Sequence, residues 1–444
     1  MNASDPSPAR EPERAQNAPP RIYNLFPRLV GDMRRWPAHA RHAHSLGFDW
    51  VLLNPIHYPG FSGSCYAIKD DERIDPLLLP ADHPDHHYDR YVHGDGGMRL
   101  LIDTLRAIRA EGVRPMLDLV LNHTARDARL VRMHPDWYVR DAEGGIASPS
   151  AIDPADARHV TVWGDLAELD HAGSRDAEGL RAHWVQRLGR ALDLGFMGFR
   201  CDAAYKVPAS TWALLLETAK KRVPEVLFVA ETLGARLEEV AALRDSGIGW
   251  HFNSAKYWNF DQPWCLEQQT QNAACMRSIS FPESHDTPRL WEETHGNAAV
   301  QRQRYAFAAA FSSGVMMPIG YEYGFSRRLH VVETRPEHWE EPQADLCAFI
   351  RRVHDVCEQT PAFTSEEVEA CTPLTEATVV LERRAEDSDA FLVVNKDWHA
   401  DQVATLPEAA RGRRVLRVCR DDAPADETAG TRLALGPAEV VYLV

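Results

Sequence analysis

The sequence lacks three features that would each point to a different class of protein. None of its 8 cysteines lies in a Cys-x-x-Cys pair, which argues against a zinc ribbon and a thioredoxin-like motif. No apolar run approaches the roughly 20 residues that a membrane-spanning helix requires. Positive charge is not in excess: Lys and Arg number 49 against 65 Asp and Glu, for a formal net charge of -16. This balance excludes nucleic acid and anionic membranes as main partners and suits a neutral or cationic ligand.

The composition of the first residues predicts neither a secretory signal nor a membrane anchor. Residues 1–20 are rich in Pro, Ala, Glu and Arg and have no apolar centre, which predicts a disordered tail on a cytoplasmic protein. The remaining length is too great for one ordinary compact domain unless that domain is an α/β barrel with an appendage.

Short apolar runs alternate with longer amphipathic stretches along most of the chain. The runs predict strands near residues 22–26, 50–54, 114–120, 195–200, 227–231, 249–253, 278–282 and 315–319. Apolar residues at three-to-four spacing predict helices over residues 97–111, 180–194, 209–222 and 300–311. Eight strands that alternate with helices predict an α/β fold, a (β/α)8 TIM barrel over residues 21–360.

Two segments depart from this alternation. Residues 125–176 are polar, rich in Asp, Gly, Pro and His, and too long for a turn between strand and helix, so they predict a small insertion after strand 3 that roofs the site. Residues 361–444 show alternating apolar patterns separated by Gly, Pro and Asp, which predict a C-terminal antiparallel β-domain.

Four of the predicted segments contain a short apolar run and end on charged or hydrogen-bonding residues. They are Asp118-Leu119-Val120-Leu121-Asn122-His123, Gly198-Phe199-Arg200-Cys201-Asp202, Phe228-Val229-Ala230-Glu231 and Phe281-Pro282-Glu283-Ser284-His285-Asp286. Because the carboxyl ends of barrel strands meet at one face, these polar ends predict a single active site.

The four segments, in this order, resemble the motifs of the α-amylase family, glycoside hydrolase family 13, and the resemblance covers nearly all of residues 21–444. It implies a barrel, an insertion after the third strand and a C-terminal β-sandwich. It also implies chemistry on α-linked glucosides that retains the anomeric configuration, which needs one ionised carboxylate and one protonated acid about 5 to 5.5 Å apart.

The resemblance implies a role for each of three acids. Asp202, which keeps the family's Arg two positions earlier at Arg200, would be the nucleophile, and Arg200 would hold its carboxylate ionised. Glu231 would be the acid/base, and its position after an apolar strand predicts a pKa raised by desolvation. Asp286 would bind sugar hydroxyls and stabilise the oxocarbenium-like transition state.

The resemblance also implies residues that bind the sugar. His123 and His285 would hydrogen-bond hydroxyls of the same ring, and Tyr66 would stack beneath it. Asp70 matches an Asp that follows this Tyr in many relatives. At the positions where many α-amylases carry a Lys-His pair, this chain has Tyr205 and Lys206, which puts plain starch hydrolysis in question.

Two metal hypotheses arise. By the same resemblance, Asn122 corresponds to a calcium ligand in many amylases, and Asp165 and Asp170 lie where further ligands could come from, so a calcium ion is possible. The predicted chemistry itself requires no cofactor. The histidines His83, His86 and His87 stand in an Asp- and Pro-rich setting that favours a solvated loop over a metal site.

The function hypothesis is a retaining enzyme that cleaves or transfers α-1,4 linkages of maltooligosaccharides through a covalent glycosyl intermediate. The segments 23–31 and 54–66 are similar to the maltosyltransferase branch, some of whose members use maltose 1-phosphate, so that activity is one alternative. A catalytically silent amylase-like binding module is the other. The composition leaves the oligomeric state open.

Overall fold

The computed structural model describes residues 18–86, 95–152, 158, 160–422, 424 and 426–444. Most of the expected N-terminal tail therefore lies outside the described residues. The strands are β1 (Arg21–Leu25), β2 (Trp50–Leu53), β3 (His57–Pro59), β4 (Ile68–Ile74), β5 (Arg114–Leu119), β6 (His123–Ala125), β7 (Ser150–Ile152), β8 (Val160–Val162), β9 (Leu166–Glu168), β10 (Gly198–Cys201), β11 (Leu227–Glu231), β12 (Trp250–Phe252), β13 (Arg277–Ser280), β14 (Gly314–Pro318), β15 (Glu367–Ala370), β16 (Thr378–Ala385), β17 (Ser388–Asn395), β18 (Gln402–Thr405), β19 (Val415–Leu416), β20 (Arg432–Leu435) and β21 (Val440–Leu443).

The α-helices lie mainly between the strands of the first 360 residues. They are α1 (Pro27–Val30), α2 (Trp36–Ser45), α3 (Met98–Ala110), α4 (Arg129–Met133), α5 (Ala177–Leu194), α6 (Ala209–Lys220), α7 (Leu237–Ala242), α8 (Trp264–Ala273), α9 (Leu290–Glu293), α10 (Ala298–Phe311) and α11 (Cys347–Gln359). None of the helices in the described part of the chain is long and apolar enough to cross a membrane.

Eight parallel strands close into a barrel in the order β1-β14-β13-β12-β11-β10-β5-β2. These are the eight segments that the sequence predicts, so the predicted fold class is confirmed. Successive side chains point to opposite faces of a strand. Ile22 and Leu52 accordingly pack inside the barrel, whereas Tyr23 and Val51 pack outward in the larger core between barrel and helices.

The C-terminal part forms a five-stranded antiparallel sheet, β15-β16-β17-β21-β19, and a two-stranded sheet, β18-β20. Apolar side chains such as Phe391 and Leu433 share one buried cluster between the two. On the opposite face of the larger sheet, the Tyr442 hydroxyl donates a hydrogen bond of 2.6 Å to the Ala306 carbonyl of α10. The sheet thus packs directly on a barrel helix, while the domain limits at 361 and 444 stay a prediction.

Two excursions leave the carboxyl ends of barrel strands. The expected one after β5 contains α4 and the short strands β6 to β9, and β6 pairs with β9 across His123 and Glu168. The other, which the sequence did not predict, is the β3–β4 hairpin after β2. Both stand on the barrel face where the four polar motifs end, and the hairpin places Tyr66 there.

Candidate active site

Adjacent strands bring the predicted residues Arg200, Asp202 and Glu231 together with Asp118, a further acid of the first motif. Strand β10 pairs with β5 so that Arg200 lies opposite Asp118, and with β11 so that Cys201 lies opposite Ala230. Glu231 is the last residue of β11, and Asp202 follows β10 directly. The parallel register therefore sets Asp118, Asp202 and Glu231 side by side at one end of the barrel.

Arg200 links two carboxylates. Its Nη1 donates hydrogen bonds of 2.7 and 2.9 Å to the two oxygens of Asp118 and one of 2.9 Å to Oδ1 of Asp202. The Arg200 and Asp118 side chains are 5% and 0% exposed, whereas 13% of Asp202 is exposed. Burial raises the pKa of Asp118 to about 7, and the charge of Arg200 opposes that shift. The greater exposure of Asp202 leaves its carboxylate open to a ligand.

Glu231 has the opposite environment. Burial, assisted by the nearby carboxylates of Asp202 and Asp286 and opposed by Arg200, raises its pKa to about 8. Its oxygens accept hydrogen bonds from the backbone N–H groups of Ala203, at 2.9 Å, and Leu233, at 2.7 Å. The two neighbouring carboxyl groups thus differ: one faces a cation, and the other is held mainly protonated at neutral pH.

Ala203 has a left-handed backbone, with φ of 40°. A residue with a Cβ pays a cost of order 1–3 kcal/mol for such a conformation, which persists only where the surroundings impose it. Here the conformation directs the Ala203 N–H at Glu231 immediately after Asp202. The strain therefore lies at the point that fixes the two carboxyl groups relative to one another.

Asp286 joins the site through His285 and Tyr66. Nε2 of His285 lies 3.1 Å from Oδ2 of Asp286 and 2.7 Å from the Tyr66 hydroxyl. The Tyr66 hydroxyl donates to Oδ2 of Asp118 at 2.6 Å, and the Tyr66 and His285 rings lie nearly parallel, at 11°. Burial lowers the pKa of His285, so its ring is neutral. The Asp286 side chain is 55% exposed, as suits a group that binds a ligand.

The other predicted binding residues lie at different distances from this network. Nε2 of His123 lies 3.2 Å from the Tyr66 carbonyl, and burial lowers its pKa. Tyr205 is half-buried, and burial and then the charge of Glu231 raise its pKa. Lys206 is exposed, and its ammonium group lies 5.5 Å from the centre of the Tyr205 ring. Burial raises the pKa of Glu168, and the charge of Lys206 opposes that shift.

Asp70 is the predicted residue that the structure does not join to the carboxylates. It lies on β4, where its Oδ1 accepts a hydrogen bond of 3.0 Å from the backbone N–H of Glu72. It lines a cavity between the hairpin and α5, and Asp118 and His123 of the site line the same cavity. A role in sugar binding for Asp70, as for the other site residues, stays a prediction.

Three further residues, with no role predicted from the sequence, hold the side chains or the loop of the site in place. Asn54, just after β2, donates a hydrogen bond of 3.0 Å to the Tyr66 hydroxyl. Glu283 and Arg289 form a fully buried ion pair of 2.8 Å on either side of the His285-Asp286 turn. A role for Asn54 could have been predicted from the sequence, because it is a polar residue at the end of a strand. The pairing of Glu283 with Arg289 could not, because it depends on how the loop folds.

The calcium hypothesis has mixed support from the described residues. Oδ1 of Asn122 is buried without a hydrogen-bond partner, as a ligand atom would be in the absence of its ion. Asp170 instead accepts a hydrogen bond from the Gly173 N–H. Across the described ranges, Asp165 and Asp170 belong to no group of three acidic, histidine or cysteine side chains with converging ligand atoms. Calcium binds six to eight oxygens, so this set does not fit the ion as it stands.

Comparisons with known proteins agree with this geometry. Residues 20–141 match the family model "Glycogen debranching enzyme, glucanotransferase domain". An α-1,4-glucan:maltose-1-phosphate maltosyltransferase from Burkholderia pseudomallei is 26% identical over 88% of this chain and 34% of its own length. An α-amylase from Haloarcula japonica is 24% identical over 78% of this chain and 49% of its own length. The chain thus spans about a third to a half of these curated relatives.

Solved structures show the same fold. The crystal structure of an α-amylase from Lactobacillus plantarum superposes with a TM-score of 0.73 at 19% identity, over 96% of this chain and 99% of that one. A maltogenic α-amylase from Thermotoga neapolitana superposes with a TM-score of 0.71 at 19% identity, over 97% and 100%. These structures show that the chain has the fold of the solved α-amylases, and the sequence relatives show that it resembles the α-amylase family and its maltosyltransferases.

Proposed function

We propose that this protein is a retaining enzyme that cleaves or transfers α-1,4 linkages of maltooligosaccharides. Asp202 attacks the anomeric carbon while Glu231 protonates the departing glycosidic oxygen, which leaves a glycosyl ester on Asp202. Glu231, now ionised, takes a proton from water or from a sugar hydroxyl, and that oxygen displaces Asp202. Asp286 and His285 hold the sugar as positive charge develops on its ring.

The observation that carries this proposal is the contrast between two adjacent carboxyl groups. Asp202 is bound to the Arg200 guanidinium at 2.9 Å, and Glu231 is buried with a pKa of about 8. A retaining mechanism needs one ionised and one protonated group in this relation. A silent binding module has no need of that contrast, or of strained backbone between the two groups.

Maltosyl transfer from maltose 1-phosphate is the second candidate. It is favoured by the curated relatives, several of which bear that name, among them proteins from Mycolicibacterium smegmatis and Corynebacterium glutamicum. The exposed ammonium of Lys206 beside Tyr205 offers a cation near the leaving-group side. Phosphate is a good leaving group, so this donor would need less proton transfer from Glu231 than a glucan does.

A proton NMR time course with maltoheptaose, with and without maltose 1-phosphate, separates these activities. Shorter products with α-anomeric ends are expected from a hydrolase, and a ladder of longer chains is expected from a transferase. Consumption of the phosphate ester with growth of the acceptor would select maltosyl transfer. If a folded, monodisperse preparation leaves every mixture unchanged, the proposal is wrong and the binding module is preferred.

The pKa of Glu231 predicts how activity depends on pH. Below about pH 8 the carboxyl group is protonated and can donate to the leaving oxygen. As the pH rises further, kcat/KM on maltoheptaose should fall roughly tenfold per unit, because only the protonated fraction is competent. This fall in kcat/KM above about pH 8 should be absent with α-maltosyl fluoride, whose leaving group needs little proton transfer. An equal fall with both substrates would contradict the assignment.

The same shift has a signature in stability that needs no substrate. The folded-state pKa of about 8 lies above the ordinary value of 4.5 for a glutamate side chain. The stabilisation from this protonated group is therefore complete below about pH 4.5 and is lost as the pH rises toward 8. Wild-type protein should lose stability relative to Glu231→Gln across that window, as thermal unfolding at several pH values would measure.

A further inference from the structure

A group of metal-ligating side chains lies between β4 and α3, outside the candidate active site. Atoms of His83, Asp85 and Asp95 that could each bind an ion lie within 4.8 Å of one another. The Asp- and Pro-rich sequence around these histidines predicts a solvated loop and gives no sign that the two aspartates lie beside His83. His87, the third histidine of that stretch, lies outside the described residues.

Asp85 is the residue that a solvated loop does not explain. It is 3% exposed, and its Oδ2 is buried with no hydrogen-bond partner. Within the described part of the chain, no Lys or Arg forms an ion pair with it, and its charged neighbour is Nδ1 of His83, 3.9 Å from Oδ2. A buried carboxylate oxygen without a donor costs free energy unless a cation compensates it.

Local structure accounts for the other two residues only in part. Asp95 accepts hydrogen bonds from the backbone N–H groups of Gly97, at 3.0 Å, and Arg99, at 3.2 Å, at the start of α3. Nδ1 of His83 accepts one from the Asp85 N–H at 3.1 Å. Each carboxylate oxygen keeps a second lone pair, whereas the lone pair of Nδ1 of His83 is used, so His83 would bind an ion through its other ring nitrogen, Nε2. These bonds leave Oδ2 of Asp85 unexplained.

We propose that His83, Asp85 and Asp95 bind one divalent transition-metal ion of the Zn²⁺ type. An imidazole nitrogen with two carboxylates is a donor set typical of such ions, whereas Ca²⁺ and Mg²⁺ prefer oxygen donors throughout. Two ligands at about 2.0 to 2.2 Å from a tetrahedral zinc stand roughly 3.3 to 3.6 Å apart, so the three side chains would move closer by up to about 1.5 Å, and a water would take the fourth position. The ion joins the loop to the start of α3 and is structural.

The test measures thermal unfolding of the full chain, stripped with a chelator and then titrated with Zn²⁺, for wild type, Asp85→Asn and Asp82→Asn. Asp82 is an acid of the same loop whose side chain is 84% exposed, so it serves as the matched control. At a Zn²⁺ concentration about 100 times the dissociation constant, wild type and Asp82→Asn should melt about 3 °C or more higher. Asp85→Asn should show no such rise.

Without metal, the order should reverse. Asp85→Asn should then melt at or above the wild-type temperature, because the substitution removes a buried charge that has no partner. As a second readout, Co²⁺ should give visible absorption bands in wild type that are absent from Asp85→Asn. If Asp85→Asn fails to fold, His83→Gln replaces it, with the same expected loss of the Zn²⁺ response and of the Co²⁺ bands.

Two results would overturn the proposal. One is an equal Zn²⁺ response in all variants, which would place binding at other histidines or cysteines. The other is no response in wild type, which would mean that the loop tolerates an unpaired carboxylate. Neither result bears on the proposed enzyme activity, because none of the three residues belongs to its site.

Discussion

Asp202→Asn is expected to lower turnover of maltoheptaose by about 10⁴-fold or more while the protein stays folded. The amide cannot form the glycosyl ester, and loss of a covalent nucleophile typically costs this much. A 10⁴-fold loss corresponds to about 5.5 kcal/mol of transition-state stabilisation. The measurement is the NMR time course, with products quantified over several hours against wild type.

The fold should survive this change because Arg200 keeps a partner. The two hydrogen bonds from Nη1 to Asp118 remain when Asp202 becomes neutral. The melting temperature should therefore stay within a few degrees of wild type. Asp245→Asn, the same change at an exposed position, is the control and should keep full activity. A folded Asp202→Asn protein with undiminished turnover would refute the nucleophile assignment.

Glu231→Gln should slow reaction of a maltooligosaccharide by about 10² to 10⁴-fold, because general acid catalysis contributes an effect of that size. The loss should depend on the leaving group. With α-maltosyl fluoride, the C–F bond breaks without proton transfer, fluoride departs and the ester with Asp202 still forms. Fluoride release, followed with an electrode, should therefore show a first turnover at close to the wild-type rate.

The second step should then be slow, because no base at position 231 activates the incoming water or sugar. The covalent glycosyl enzyme should accumulate, and mass spectrometry of the digest should place the added sugar on the peptide that contains Asp202. Glu225→Gln, at an exposed position, is the control and should behave as wild type with both substrates. Equal losses with fluoride and with the glucan would argue that Glu231 is not the acid.

The barrel strands were predictable because their signal is local. A buried parallel strand reads as a short apolar run, and polar residues such as Asp118, Asp202 and Glu231 mark where the run leaves the core. Closure of a parallel barrel brings such ends to one face whatever the connecting loops do. The observed pairing of Arg200 with Asp118 follows from strand register alone.

The hairpin and the loop contacts were not predictable in this way. Tyr66 reaches Asp118 across 52 positions of the chain and His285 across 219. Asp70, only four positions later, instead accepts a hydrogen bond from Glu72 and lines a cavity that extends to Asp118 and His123. Contacts of this kind depend on how irregular segments pack, and periodicity of the sequence carries no information about them.

The sequence by itself determined the (β/α)8 barrel, the order of its strands and the face on which the three acids lie, because these depend on local hydrophobic pattern and on the geometry of parallel sheets. Only the tertiary structure decided the electrostatic state of each acid. Asp202 lies against Arg200, and Glu231 is buried enough for a pKa of about 8. Asp85 is left without a partner beside His83 and Asp95. Desolvation and charge pairing depend on distances between atoms far apart in the chain, so they exist only in the folded protein.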